Sequence, residues 1–493
     1  MPLSNGLNSI GQAVIVINWV FEGNFTFKFR NFSKNKPAIV LCAVYIMHLL
    51  GLLYSTNFDY GLEDINKKIP LLIFPLVFST TTPLSIKEWR LVLLSFMLAV
   101  TCTTFIGGWI LVHHEIVDIH DISPYIAPVR LAMMMVLSIF ILAHYIATNK
   151  ITFLSAIFII WIGWLLFFLT VMQSLTAVIM VVIIFLVLLL YAAIKAINRK
   201  KIALGLTVIC LFALGLISSI GYVFYFYHHY FPKADVADEK KLDQKTVNGN
   251  YYSLDYAGNS TENGHYVLYY VCPKELKKEW NKRSKIPFDS NDLKGNPVRG
   301  TLARYMASLN LRKDSVGVWA LSQQDINAIE LGIPNYRFNS LTSMSYRLYQ
   351  VFWEVKDYEQ GGDINGHSIT MRLEYWQIAL MLIKRHPLVG AGTGNVRKGF
   401  DDYYDATHSS LTHEFRLRAH NQYLEIGVGF GLIGLSFFIF SLFYPGIKTG
   451  KIFTWFYFIF WMIFMLSLFT EDTLETEAGA TFYAFFNSFF LFL

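Results

Sequence analysis

The sequence predicts an all-α polytopic integral membrane protein with about ten or eleven transmembrane helices and one long non-membrane segment carrying amphipathic helices. Three observations predict it. Hydrophobic residues make up 54% of the 493 and charged residues only 15%, against roughly 25% charged in soluble domains. Runs such as ITFLSAIFIIWIGWLLFFLT reach the ~20 apolar residues that a bilayer requires. Loop lysines and arginines alternate in density from one span to the next, as an oriented membrane protein demands.

Taken in order, the apolar spans lie near 37–55, 89–112, 125–147, 151–170, 172–196, 202–227, 423–447, 452–470 and 478–493. Shorter candidates lie near 70–84 and 10–22, the latter interrupted by Asn18 and flanked by Asn8 and Glu22. No internal repeat is evident, which argues against a transporter built from repeated halves. Cys42, Cys102 and Cys210 fall in apolar runs and read as buried thiols, while Cys272 stands alone in the polar segment, so no disulfide is expected.

Sidedness follows from the short loops. One side holds Lys28, Arg30, Lys34, Lys36, Lys87, Arg90, Lys150, Lys195, Arg199, Lys200, Lys201, Lys448 and Lys451. The other holds only Lys67 and Lys68, with the acids Asp59, Glu63, Asp64, Glu115, Asp118, Asp121, Glu471, Asp472, Glu475 and Glu477. The basic side reads as cytoplasmic and the acidic side as outward. The formal charge of +6 belongs to this asymmetry, and no aromatic-basic motif points to nucleic acid.

Three regions follow: N-terminal membrane helices over 1–227, a large outward loop over 228–422, and C-terminal membrane helices over 423–493. Within the loop, 231–300 is rich in Asn, Asp, Lys, Gly and Tyr, and 301–356 has helical periodicity. The stretch 369–387 reads as an amphipathic helix stopped by Pro387. Its Leu373, Trp376, Ile378, Ala379 and Leu382 form an apolar stripe suited to a membrane surface.

The chemistry-bearing candidates gather on the outward side. His420 opens the 423–447 span, followed by Asn421 and a glycine series in which Gly431 and Gly434 permit close helix packing. An imidazole there is suited to taking a proton from a hydroxyl near neutral pH; taken alone it reads as an ordinary helix-end residue. Arg372 on the amphipathic helix suits bidentate phosphate binding, and equally suits snorkelling to lipid phosphate. Arg130 sits just inside a span, where a charge is costly and either paired or functional. Gly390, Gly392 and Gly394 alternate in HPLVGAGTGN, a run able to present backbone N–H groups to an anion or simply to turn. No zinc-protease spacing or nucleophile elbow occurs, so neither metal nor cofactor is expected. The acids of TEDTLETEAG read as a solvated outer turn, one of which is placed to orient His420 or bind a sugar.

Together these pieces resemble the O-antigen ligase and O-antigen polymerase superfamily of bacterial lipid-linked-glycan glycosyltransferases. His420-Asn421, nine residues, then Gly431-x-x-Gly434 is similar to that family's pattern, as is Arg372…Trp376…Ala379 running into HPLVGAGTGN. KKIPLLIFPLVF and EDTLETEAGATFYAFF resemble flanking segments of ligase-like members from Bacteroidetes-type bacteria. The resemblance implies a GT-C-like fold in the bacterial inner membrane with its active site facing the periplasm. It implies an undecaprenyl-pyrophosphate-linked glycan donor and, without metal, inverting transfer to a lipid A core, a growing glycan or a protein hydroxyl. His420 would be the general base, Arg372 the pyrophosphate clamp, and Asn421 and the glycine run substrate contacts. Where the family carries a second arginine, this chain has Leu175 in MQSLTAV. Arg130 is the first candidate to replace it and Arg347 the second; a catalytically dead scaffold is the third possibility. Ligase, polymerase and protein O-oligosaccharyltransferase share these motifs, and a lipid-linked-sugar flippase or transporter stands further off.

Overall fold

The computed structural model describes residues 2–114, 119–232, 243–253, 260–340, 343–359 and 361–493. Glu115 and Asp118, counted above among the outward acids, lie outside the described residues. The described residues are mostly helical, with one two-stranded sheet, and the chain divides into two compact units. The first comprises Met1–His114, Ile122–Val187 and Ile364–Leu493; the second comprises Glu115–Asp121 and Leu188–Asp363.

Helix ends follow local chemistry. Ser85 and Glu88 form a reciprocal capping box that starts Ile86–His113. Pro128 opens Pro128–Thr148 at a position where its missing N–H costs nothing. Asn421 caps Gln422–Lys448 by accepting a hydrogen bond from Leu424 N at 3.1 Å.

Among the described residues six helices are long and apolar enough to cross a membrane: Ile86–His113, Pro128–Thr148, Phe153–Val171, Leu175–Asn198, Ile202–Tyr230 and Gln422–Lys448. A seventh arises if Phe25–Lys34 and Lys36–Leu52, bent by 91°, count as one span. Four other expected spans fold as the shorter helices Asn5–Phe21, Pro70–Phe78, Trp455–Ser467 and Glu477–Phe492, of 17, 9, 13 and 16 residues. At 1.5 Å per residue, 13 residues cover only about 20 Å. Glu477–Phe492 is nevertheless buried along most of its length, and a helix enclosed by protein has no lipid thickness to match. Cys102 and Cys210, expected to be buried, lie on exposed helix faces, whereas Cys42 and Cys272 are buried.

In the second unit, Pro273–Arg283, Val298–Ser308 and Gln323–Glu330 close over a core that includes Trp280, Leu302, Tyr305, Met306 and Ile326. Glu262, fully buried, accepts from Arg304 Nε at 2.7 Å, Asn335 Nδ2 at 2.8 Å and Tyr349 OH at 2.9 Å. A region that reads as loop-rich thus has an apolar core and a satisfied buried acid.

In the first unit, the amphipathic stretch forms Ser368–Arg385. Its Ile378, Ala379 and Leu382 are buried, while Leu380 and Met381 on the same helix are exposed. The apolar stripe expected at the membrane surface therefore packs mainly on protein. A Cβ on Gly427 would lie 2.7 Å from Ile383, which marks how closely this helix meets Gln422–Lys448.

Candidate active site

His420 stands immediately before the cap of Gln422–Lys448 with φ of 44°, a left-handed conformation that costs a β-carbon residue about 1–2 kcal/mol. Neighbours on both sides hold the turn. Trp376 Nε1 donates to Ala419 O at 3.0 Å. Asn421 Nδ2 donates to Phe469 O at 3.1 Å, and Gln422 N to Leu468 O at 2.9 Å. The imidazole is thereby fixed between Ser368–Arg385 and the turn that follows Trp455–Ser467. A strained residue so tightly over-determined marks a place where geometry matters.

The imidazole's surroundings are charged. His420 Nδ1 lies 3.7 Å from Asp472 Oδ1 and 4.0 Å from Glu471 Oε2, too far for hydrogen bonds but close enough for strong attraction once the ring is protonated. Arg372 Nη2 reaches the other oxygen of Glu471 at 3.2 Å, and its Nη1 donates to Ser368 O at 3.0 Å. Both His420 and Arg372 are a little over a quarter exposed, so solvent and solutes reach them. Burial pushes the Glu471 carboxyl above its usual range, with the positive charges of Arg372, His420 and Arg130 opposing. Arg130 also lines a cavity of about 330 Å³ with Tyr125, Thr476 and Glu477.

The acids of 470–479 are not a solvated turn. Asp472 and Glu475 are buried at 7% and 6% exposure, because a buried cation meets them. Arg418 Nη1 contacts Glu425 at 3.0 Å, Glu475 at 3.1 Å and Tyr60 OH at 3.1 Å, and its Nη2 contacts Asp472 at 3.3 Å. Burial works against the charge of Arg418, but Glu425, Glu475 and Asp472 outweigh it and raise the guanidinium's pKa. Lys68, wholly buried, joins from another helix at 2.6 Å from Asp64 and 2.7 Å from Glu475. In the sequence Lys68, Asp64, Asp472 and Glu475 stand only among the loop charges, and Arg418 and Glu425 are not singled out. Glu425 carried the one legible sign, an acid inside an apolar run, where a partner is obligatory.

Other expected contacts fall elsewhere. Asn421, expected to touch substrate, accepts from Leu424 N with its side-chain oxygen and donates one N–H to Phe469 O, so it also holds the turn. The glycine run offers little to an anion: Ala391 N donates to Val428 O, Gly392 N to Gly429 O, and Gly394 N to Ser55 Oγ. Its glycines permit contact instead. A Cβ on Gly390 would lie 2.3 Å from the Gly429 carbonyl carbon, and one on Gly431 would lie 2.4 Å from Leu388 backbone. Gly431, with φ of 62°, breaks its helix there, and Leu432 N and Ile433 N turn to Pro387 O and Leu388 O. A Cβ on Gly434 would meet Phe430 at 2.1 Å. Arg347 belongs to the second unit, where it faces Glu354 at 3.8 Å.

His420, Glu471 and Asp472 bring three donor atoms within 4.8 Å of one another, a grouping able to close on a cation. Each carboxylate already meets a guanidinium, Glu471 that of Arg372 and Asp472 that of Arg418, so the positive charge is largely supplied from within. What the arrangement can do chemically is take a proton on an imidazole beside anchored carboxylates and receive an anion beside Arg372.

Fold and site together define an all-α, multi-pass membrane protein with a partly buried histidine–arginine–carboxylate centre. Residues 335–439 match the family model described as O-Antigen ligase, so that segment is similar to that family's domain. No curated protein matches the chain.

Proposed function

We propose that the protein is an O-antigen ligase-like enzyme of the bacterial inner membrane. It transfers a glycan from undecaprenyl pyrophosphate to a hydroxyl of lipid A core on the periplasmic face, with inversion and without a metal. The observation that carries this reading is that His420 and Arg372, both within the matched segment and each over a quarter exposed, converge on one carboxylate, Glu471, which lies beyond it.

In this mechanism His420 takes the acceptor hydroxyl's proton as its oxygen attacks the anomeric carbon. The bond to the pyrophosphate oxygen breaks on the opposite face. Asp472 and Glu471 stabilise the imidazolium that forms. Arg372 faces the charge that grows on the departing pyrophosphate, which stabilises the transition state more than the ground state. Arg130, within the electrostatic reach of Glu471, supplies the second cation that Leu175 does not, ahead of Arg347 on Glu354.

The test is glycan profiling of cells carrying His420→Ala or Arg372→Ala at wild-type membrane levels. Accumulated lipid-linked polymer with bare lipid A core is the expected outcome for both. Wild-type ligation in either variant overturns the mechanism. Single-repeat capping would mark a polymerase instead, and loss confined to glycoproteins a protein-directed transferase.

A further inference from the structure

The end of Ser368–Arg385 far from Arg372 opens on a further cavity, of about 440 Å³. Tyr54, Arg385, His386, Asn395, Lys398 and Asp402 are among its lining residues. The uncharged polar groups there are already engaged. Tyr54 OH donates to Val389 O at 2.8 Å, Asn395 Oδ1 accepts from Thr56 Oγ1 at 2.7 Å, and Asn395 Nδ2 donates to Ala391 O at 2.9 Å. Lys398 pairs with Asp402 at 2.6 Å. Arg385 is left over. Its guanidinium stacks on the Tyr403 ring at 5.3 Å and meets no carboxylate among the described residues. A stacked guanidinium keeps its N–H edge free, and that edge fits phosphate bidentately. Two cations, Arg385 and Lys398, thus face one anion, Asp402.

The rim of this cavity is apolar. Leu388, Val389, Leu432 and Ile433 are each more than half exposed. They form one patch, because Leu432 N and Ile433 N donate to Pro387 O and Leu388 O, and Tyr54 joins it through Val389 O. Lys384, Arg385 and His386, all exposed, stand immediately before it in the chain. Exposed aliphatic side chains beside exposed cations suit a membrane interface, where acyl chains meet the first and phosphates the second. An amphiphile with an anionic head satisfies both, and a soluble anion only one. Arg385 follows Arg372 by 13 positions on the same helix, which is about 20 Å along the axis and about 220° around it. A single pyrophosphate does not bridge that separation. The phosphate that fits here is therefore not the one that meets Arg372.

We propose that this pocket holds the membrane-proximal phosphate of the acceptor, a phosphorylated glycolipid, on Arg385 and Lys398, with the apolar rim against its acyl chains. The proposal rests on the acceptor being a lipid-anchored sugar, as in the function proposed above. An acceptor anchored there extends several sugar units along Ser368–Arg385 to bring its hydroxyl to His420. The contact is remote from the reacting atoms and is made equally in ground and transition states. It therefore acts on the acceptor's KM and leaves kcat alone.

The test uses the full chain in proteoliposomes, with lipid-linked polymer from its host as donor. Polymer-free lipid A core serves as acceptor, either with its phosphates or stripped of them. Arg385→Gln is expected to raise the acceptor KM about tenfold, as loss of a charge-assisted contact implies, with kcat and the donor KM unchanged. Arg385→Lys should restore part of it. Stripping the phosphates should raise the wild-type acceptor KM similarly and erase the difference between wild type and Arg385→Gln. Lys384→Gln removes a neighbouring exposed charge that does not line the cavity, and should change the acceptor KM little. Arg385 and Lys398 are exposed, so the variants should keep the wild-type Tm. An unchanged acceptor KM in Arg385→Gln overturns the proposal, as does a rise in the donor KM instead. An equal effect of Lys384→Gln overturns it in favour of general surface charge. A defect that persists with phosphate-free acceptor overturns it in favour of a structural phospholipid. Binding of the two lipid A core forms to the detergent-solubilised chain separates this from the enzymatic reading. Phosphate-dependent binding lost in Arg385→Gln and kept in His420→Ala supports the pocket even where the wild type transfers nothing, and that last result overturns the ligase reading alone.

Discussion

At the scale of single residues, Trp376 shows how a neighbouring side chain holds the turn that carries the proposed base, His420. Its indole donates to Ala419 O, one residue before the left-handed His420, so the ring and the strained turn are coupled directly. Trp376→Phe keeps most of the bulk and removes the donor. One such hydrogen bond is worth about 0.5–1.5 kcal/mol, so kcat should fall roughly two- to tenfold with KM little changed. Steady-state transfer assays check this, and an unchanged kcat would mean that the turn is held by Asn421 and Gln422 alone. The same scale explains why His420 and Arg372 were legible while their partners were not. Both sit in spaced motifs with glycines and a tryptophan, whereas Glu471 and Asp472 look like any acidic turn until Arg372 and Arg418 are seen against them.

At the scale of elements, the two glycine series belong to one joint. The turn around Gly390 and the broken helix at Gly431 exchange backbone hydrogen bonds over 387–392 and 428–433, and a β-carbon on either side enters the other's main chain. Gly390→Ala meets both this overlap and a φ of 71°. The expected result is loss of folded protein, visible as absence of a monodisperse species and of a thermal transition in detergent. Gly163→Ala, in Phe153–Val171 with nothing within 4 Å of its β-carbon, should leave the Tm unchanged or slightly raised, since alanine is favoured in helices by about 1 kcal/mol. Equal tolerance of both substitutions would contradict the joint. Sequence spacing anticipated close packing at Gly431 and Gly434, but it had no means of assigning Gly390, Gly392 and Gly394 to the opposite face of the same contact. An alternating glycine run serves an anion or a backbone equally well until its N–H groups are counted.

At the scale of the whole first unit, the charge network ties Phe58–Lys68 to the turn at 472–475 and to Arg418. Lys68 and Lys67 make the contrast that tests it. Lys67 pairs with Glu63 at 2.6 Å, but both are substantially exposed, and such pairs contribute about 0–1 kcal/mol. Lys68 is fully buried between Asp64 and Glu475, and removing one partner of a buried pair costs about 3–5 kcal/mol. Lys68→Met should therefore lower the Tm sharply while Lys67→Met leaves it nearly unchanged. Thermal unfolding of both in detergent decides the matter; similar small shifts would show the network to be dispensable for stability.

The sequence by itself determined what depends on near neighbours and on the solvent. Apolar length against bilayer thickness placed the long helices, and Pro387 marked an end. Motif spacing brought out His420 and Arg372. Only the tertiary structure decided which charges share a cavity, which glycines face one another, and which short apolar helices are enclosed by protein instead of lipid. Asp64 and Glu475 are 411 positions apart, and no local rule relates them. They meet on the buried Lys68, and that meeting depends on the packing of several helices.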